Sequence, residues 1–268
     1  MIKILFLAAN PLDTDRLRLD EEIRAIDEKL HQAEYRDMFE IKAHLAVCIT
    51  DIQSLLLRHK PDIVHFSGHG SKSSEIIMED DSGNSKPVTV SALSQLFSIL
   101  KDNIRCVVLN ACYSDKQAMA IAEHIECVVG MSKAIGDLAA ISFSAAFYQG
   151  LGYGRDVKSA FDLGCSQINL ENLGEQNIPR LLALRNNPNE IVFVCFSPEC
   201  KKDSDSSSLS KKEIHSLQKQ LESFRRNLIL IKERMAEFVL ETDIPLQLIR
   251  SKEDIESKIA ELEKKLGG

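Results

Sequence analysis

Ile63-Val64-His65-Phe66-Ser67-Gly68-His69-Gly70 and Val107-Val108-Leu109-Asn110-Ala111-Cys112-Tyr113-Ser114 share one design: a short, mostly apolar, β-branched run ends in a reactive side chain set among small residues. Nearly continuous apolar strands of this kind belong to parallel sheets covered on both faces. Working outward, similar runs recur at 2–8, 39–46, 127–131 and 191–196, with strand bodies at 63–67 and 105–110. Amphipathic helical patterns fill the intervals at 14–33, 52–59, 91–101, 116–124, 139–150 and 156–173. Strand–helix alternation predicts an α/β domain over about 1–198, with an open, mostly parallel six-stranded sheet flanked by helices. The polar stretch 72–87, centred on Asp80-Asp81-Ser82-Gly83-Asn84, predicts a hairpin after the third strand.

Beyond residue 198 the pattern changes. Lys201 and Lys202 precede Ser204-Asp205-Ser206-Ser207-Ser208, a linker composition that we assign to 199–208. Ile214, Leu217, Leu221, Phe224, Leu228, Ile231, Met235 and Phe238 then alternate spacings of three and four, a heptad seam. Pro245 interrupts it, and Leu248, Ile255, Ile259, Leu262 and Leu266 form a second apolar stripe. The pattern predicts a C-terminal α-helical hairpin or coiled-coil element over 209–268. Its role would be to dock a regulatory or sensor protein or to join copies into a homo-oligomer, and no chemistry is assigned to it.

Composition excludes several classes. The net charge is −7, with the acidic excess in the first 200 residues, whereas a nucleic-acid binder is usually basic over its contact face. The longest apolar runs, such as 4–9 and 139–143, fall far short of the ~20 residues that cross a bilayer. The N-terminus enters strand-like sequence at once without a signal peptide, so the expected location is cytoplasmic. Seven cysteines in that setting read as thiols and not as a disulfide framework. Cys48, Cys106, Cys127, Cys165 and Cys195 lie in or beside apolar segments and read as small core side chains. Cys112 is set apart by its place at a strand end.

In an open parallel sheet, the loops at the carboxyl ends of the strands share one rim, and sites form there. His69 and Cys112 therefore face one cleft although 43 residues separate them. A thiol with a pKa of about 8.5 is mostly protonated at neutral pH, and the thiolate is the nucleophile. A neighbouring imidazole takes that proton and later returns it to a leaving amine. Gly70 has no side chain, so its N–H can approach a substrate carbonyl; with the N–H of Cys112 it would form an oxyanion hole, worth ~3 kcal/mol per donor. A lone Cys or a lone Gly-His-Gly is more often structural. It is their joint appearance at the ends of successive strands that carries the reading. Metal binding fits poorly: Gly68 and Gly70 break the helix that would align His65 with His69, and no C-x-x-C is present, so neither metal nor cofactor is expected. A dinucleotide loop fails because position 73 is Ser, and Gly150-Leu151-Gly152-Tyr153-Gly154 reads as a helix end.

His65-Phe66-Ser67-Gly68-His69-Gly70 together with Leu109-Asn110-Ala111-Cys112-Tyr113-Ser114 resembles the CHAT family of caspase-like cysteine proteases. The resemblance spans about 1–196 and includes Leu7-Ala8-Ala9-Asn10-Pro11, Val129-Gly130-Met131 and the stretch 139–148. It implies a caspase-haemoglobinase fold, His69 as general base, Cys112 as nucleophile, and the Gly70 and Cys112 amides as oxyanion hole. It further implies a regulated endopeptidase that cuts a protein substrate, often in bacterial defence or cell-death signalling. Gasdermin-like pore formers, CRISPR effector complexes and nucleotide-dependent sensors are the partners found among relatives. Asn110 stands where relatives that bind a basic P1 side chain carry Asp, so a strict basic preference is not implied. Asp137, Met131 and Ser132 join Asn110 as candidates for the S1 pocket, Asp137 having a second reading as a helix N-cap. The rival reading is a catalytically silent scaffold of the same fold that binds partner proteins.

Overall fold

The computed structural model describes residues 1–194 and, singly, Leu228, Lys252 and Ile255. The expected linker at 199–208 and the expected helical hairpin at 209–268 thus lie outside the described residues, apart from those three positions. The chain divides into two units, Met1–Phe196 and Ser197–Gly268, and the fold below is that of the first.

Its elements run β1 (Ile2–Ala9), α1 (Leu19–His31), β2 (Phe39–His44), α2 (Ile49–His59), β3 (Ile63–Gly68), β4 (Ile76–Glu79), β5 (Ser85–Val88), α3 (Val90–Ile99), β6 (Cys106–Asn110), α4 (Asp115–Ala122), β7 (Cys127–Met131), α5 (Asp137–Gly152), α6 (Val157–Leu170) and β8 (Pro179–Leu182). One six-stranded sheet has the order β2-β1-β3-β6-β7-β8. Every neighbouring pair is parallel except β7 and β8. The α/β class with a mostly parallel sheet flanked by helices is therefore as expected. β4 and β5 form the separate antiparallel hairpin read from the polar stretch, turning at Gly83 with a φ of +79°.

Alternation along the strands builds a core on each face of the sheet. Ile4, Phe6 and Ala8 of β1 pack with Ile26 of α1, Phe143 and Phe147 of α5 and Ala160 of α6. Leu5, Leu7 and Ala9 pack on the other face with Leu56 of α2, Leu93 of α3 and Ile121 of α4. Each of the larger side chains buried in this way contributes about 1.5–3 kcal/mol relative to exposure. The two covered faces leave the carboxyl rim of the strands as the open edge of the layer.

The two largest departures from the sequence reading are the last strand and the start of the first helix. The sixth strand is not 191–196: Ile191, Phe193 and Val194 are buried in the first core without joining a ladder, and residues 195–196 lie outside the described residues. The sixth strand is instead Pro179–Leu182, four residues antiparallel to β7. A proline cannot donate to a ladder, so it belongs at a strand start on a sheet edge, as here. Helix α1 begins at Leu19 and not near Thr14, because Asn10 holds the intervening chain as a loop. The Asn10 side chain accepts from the Leu17 N–H at 3.2 Å and donates to the Leu17 carbonyl at 3.1 Å, competing with helical pairing.

Candidate active site

β3 ends at Gly68 and delivers His69; β6 ends at Asn110 and delivers Cys112. The two strands are neighbours in register, with Ser67 paired to Asn110 as the last rung. Past that rung the backbones stay together. A methyl group placed on Gly70 would lie 2.9 Å from the Cys112 carbonyl carbon and 3.0 Å from its nitrogen, and closer still to its oxygen. Only glycine permits this approach, so the His69 loop lies against the backbone of Cys112.

His69 and Cys112 are both half-buried and line one small cleft. Leu17, Leu19, Ile135, Ala140 and Ile141 give it apolar walls, while Glu22, Asn110, Arg18 and Asp137 supply polar groups. His69 Nε2 lies 2.8 Å from the carbonyl oxygen of Asp15, in the loop between β1 and α1. A carbonyl only accepts, so Nε2 carries hydrogen and, in the neutral ring, Nδ1 keeps the free lone pair. The backbone of His69 is held from the other side, its carbonyl accepting the Ile77 N–H of β4 at 3.0 Å. Cys112 Sγ donates to the Ile135 carbonyl at 3.8 Å.

The turn that presents Cys112 was not read from the sequence. Tyr113 adopts a left-handed φ of +57°, an uncommon state for a bulky residue and one that clusters at functional sites. It reverses the chain between β6 and α4 so that Cys112 caps the rim. Ser114, buried behind it, donates to the Leu109 carbonyl at 2.9 Å and accepts the Met131 N–H at 2.9 Å, joining the ends of β6 and β7.

Of the four pocket residues expected, two line the cleft. Asn110 is 4% exposed and Asp137 opens α5. The N-cap of α5 is Gly136, and Asp137 instead accepts the Arg18 N–H at 3.3 Å with the guanidinium Nε at 3.7 Å. Met131 and Ser132 do not line it. Met131 is 0% exposed within the core, and the Ser132 hydroxyl turns to the Ile178 carbonyl at 2.9 Å. Both follow from β7 running between covered faces, where its end is sealed by β8.

The sequence reading also missed Glu22. It occupies a buried position on the α1 stripe Leu19, Glu22, Ile26, Leu30, and its spacing among apolar residues was the available signal. Its carboxylate accepts from His65 Nε2 at 3.1 Å, Asn110 Nδ2 at 2.5 Å, Ser144 Oγ at 2.7 Å and Ser67 Oγ. Burial pushes this carboxyl up, but the His65 charge and the hydrogen bonds from His65, Ser67 and Ser144 outweigh it and hold Glu22 below the usual carboxylate value. His65 and His69 thus have separate places: His65 sits between Glu22 and the Tyr148 hydroxyl, 3.2 Å from its Nδ1, and His69 faces the cleft.

The CHAT domain model matches residues 9–163, which carry the whole of this cleft. The chain belongs to the CHAT domain family. A relative described as a probable protease, from Gillisia limnaea, is 27% identical over 173 residues, covering 63% of this chain and 31% of that protein. A Roc-COR-CHAT protease from an unknown prokaryotic organism is 26% identical over 173 residues, covering 62% of this chain and 16% of that protein. The chain therefore spans a third or less of the length of these relatives. Caspase-1 from Spodoptera frugiperda superposes with a TM-score of 0.46 at 11% identity, over 68% of this chain and 86% of that one. Among the described residues, no helix is long and apolar enough to cross a membrane.

Proposed function

We propose that the protein is a cysteine endopeptidase that hydrolyses peptide bonds in a protein substrate through a His69–Cys112 dyad. The observation that carries the reading is the cleft that His69 and Cys112 both line, with Gly70 packed against the Cys112 backbone. Membership of a family whose matched members are named proteases supports it.

In this mechanism His69 Nδ1 removes the Cys112 proton, while the Asp15 carbonyl holds Nε2–H and steadies the imidazolium that forms. The thiolate attacks the scissile carbonyl carbon, and the N–H groups of Gly70 and Cys112 hold the oxyanion. His69 then gives its proton to the leaving amine as the C–N bond breaks. Water, deprotonated by His69, attacks the thioester; the acid product leaves and the thiol is restored. Rotation of the Cys112 side chain away from the Ile135 carbonyl starts the cycle. The apolar walls and polar end of the cleft, with Asn110 and Asp137, form the S1 pocket. A regulated role in a bacterial defence or cell-death pathway, with the residues after 198 engaging a sensor or a second copy, completes the proposal.

Iodoacetamide labelling, read per cysteine by mass spectrometry, tests it. Cys112 should react ahead of the other thiols, and His69→Ala should slow it. Cys165 offers a sharp contrast, since burial pushes its thiol up to about 11. A Cys112 that reacts no faster than its neighbours, and ignores His69→Ala, would favour the silent scaffold.

A further inference from the structure

Glu22 takes no part in the steps above, yet it is a buried, ionised carboxylate next to them. Two of its four donors are Ser67 and Asn110, the residues that pair as the last rung between β3 and β6. Each stands two residues before a member of the dyad: Ser67 before His69, and Asn110 before Cys112. We propose that Glu22 is a positioning residue, whose carboxylate clamps the final β3–β6 rung and so fixes the relation of His69 to Cys112. The inference rests on the protease reading.

The chemistry of the clamp requires a carboxylate. A carboxylate offers about four lone-pair sites, and here four side-chain donors reach it from three directions, three on Oε1 and Ser67 alone on Oε2. Ser67 and His65 come from β3, Asn110 from β6 and Ser144 from α5. His65 extends the network to Tyr148 of α5, whose hydroxyl burial pushes well above its ordinary range and keeps protonated. Asn110 Oδ1 has no partner among the described residues, so the carboxylate is the group that ties this side chain to the network, and motion there would strand further buried polar groups. The ladder itself ends at this rung, and the segments beyond it hold the dyad without further β3–β6 pairing. The side-chain clamp takes over where the backbone clamp stops. An amide at position 22 would turn its own N–H groups toward donors and release at least one strand end.

A role in stability alone would leave the dyad intact in whatever protein remains folded, so the test measures coupling between His69 and Cys112. Cys112 alkylation by iodoacetamide is timed in four proteins: wild type, His69→Ala, Glu22→Gln and the double variant. His69→Ala should slow Cys112 at least about tenfold in the wild-type background and less than about twofold in the Glu22→Gln background. Gly164→Ala, which presses a methyl onto the Phe143 ring and contacts neither dyad strand, should lower Tm and keep the full His69 dependence. If Glu22→Gln does not fold, Ser67→Ala reads the same clamp from the β3 side. Equal His69 dependence with and without Glu22 overturns the inference and leaves the protease reading standing. Absence of any His69 dependence in wild type overturns both.

Discussion

Gly70→Ala is the perturbation whose cost follows most directly from the geometry. The added methyl would meet the Cys112 carbonyl carbon at 2.9 Å, its nitrogen at 3.0 Å and its oxygen at less than either. All three are backbone atoms, so no side chain can swing aside. The His69 loop and the Cys112 turn must separate, and a displacement on the order of 1 Å at a reacting centre costs ~10²-fold in rate. In the proposed mechanism the same displacement would pull the Gly70 N–H off the developing oxyanion, and losing one such donor costs ~10²–10³-fold in kcat. The expected result is a fall in peptide hydrolysis of ~10²–10³-fold. Alkylation by iodoacetamide passes through no oxyanion, so Cys112 labelling should fall by less than about tenfold, separating the oxyanion hole from general distortion. The assay follows both reactions on one preparation, with thermal melting as the check on folding. Folded Gly70→Ala enzyme that hydrolyses substrate within about threefold of wild type would refute the placement of Gly70 at the oxyanion.

Other outcomes follow from the same structure. Glu22 has a depressed carboxyl pKa in the folded protein, so its contribution is complete above the reference value of 4.5 and is lost as pH falls through the lower folded value; Tm of wild type should drop in that acid window more steeply than that of Glu22→Gln. Desolvation, with His44, Arg58 and Lys42 nearby, lowers the pKa of His59 below 6.5 despite Glu40, so its NMR titration midpoint should lie under that value, and stability should decline slightly as pH falls through 6.5. Ser114→Ala removes the buried hydroxyl joining Leu109 to Met131 and should cost about 1–3 kcal/mol in denaturant unfolding. Gly164→Ala would press a methyl to 2.6 Å from the Phe143 ring, which is 0% exposed, and overpacking there should cost about 1–3 kcal/mol without changing Cys112 labelling.

What the sequence made legible was what short-range patterning controls. Continuous apolar runs marked β1, β3, β6 and β7 because strands covered on both faces cannot afford polar alternation. The carboxyl-rim rule then brought His69 and Cys112 to one cleft with no contact information. Residues whose role depends on tertiary partners stayed hidden. Pro179 disguised β8, since only its edge position tolerates a missing donor. Asp15 acts through its backbone carbonyl, which no side-chain pattern encodes. Glu22 lies beside Asp20 and Glu21 in the first turn of α1, and only the convergence of His65, Ser67 and Asn110 from other elements sets it apart.

Peptide-bond cleavage by Cys112, served by His69, is the activity proposed here. Mapping newly formed protein N-termini by mass spectrometry, after adding the protein to a cell extract, tests it with no prior choice of substrate. A discrete set of new termini is expected with wild type, vanishing with Cys112→Ala and shrinking sharply with His69→Ala. Finding the same termini after Cys112→Ala would contradict it.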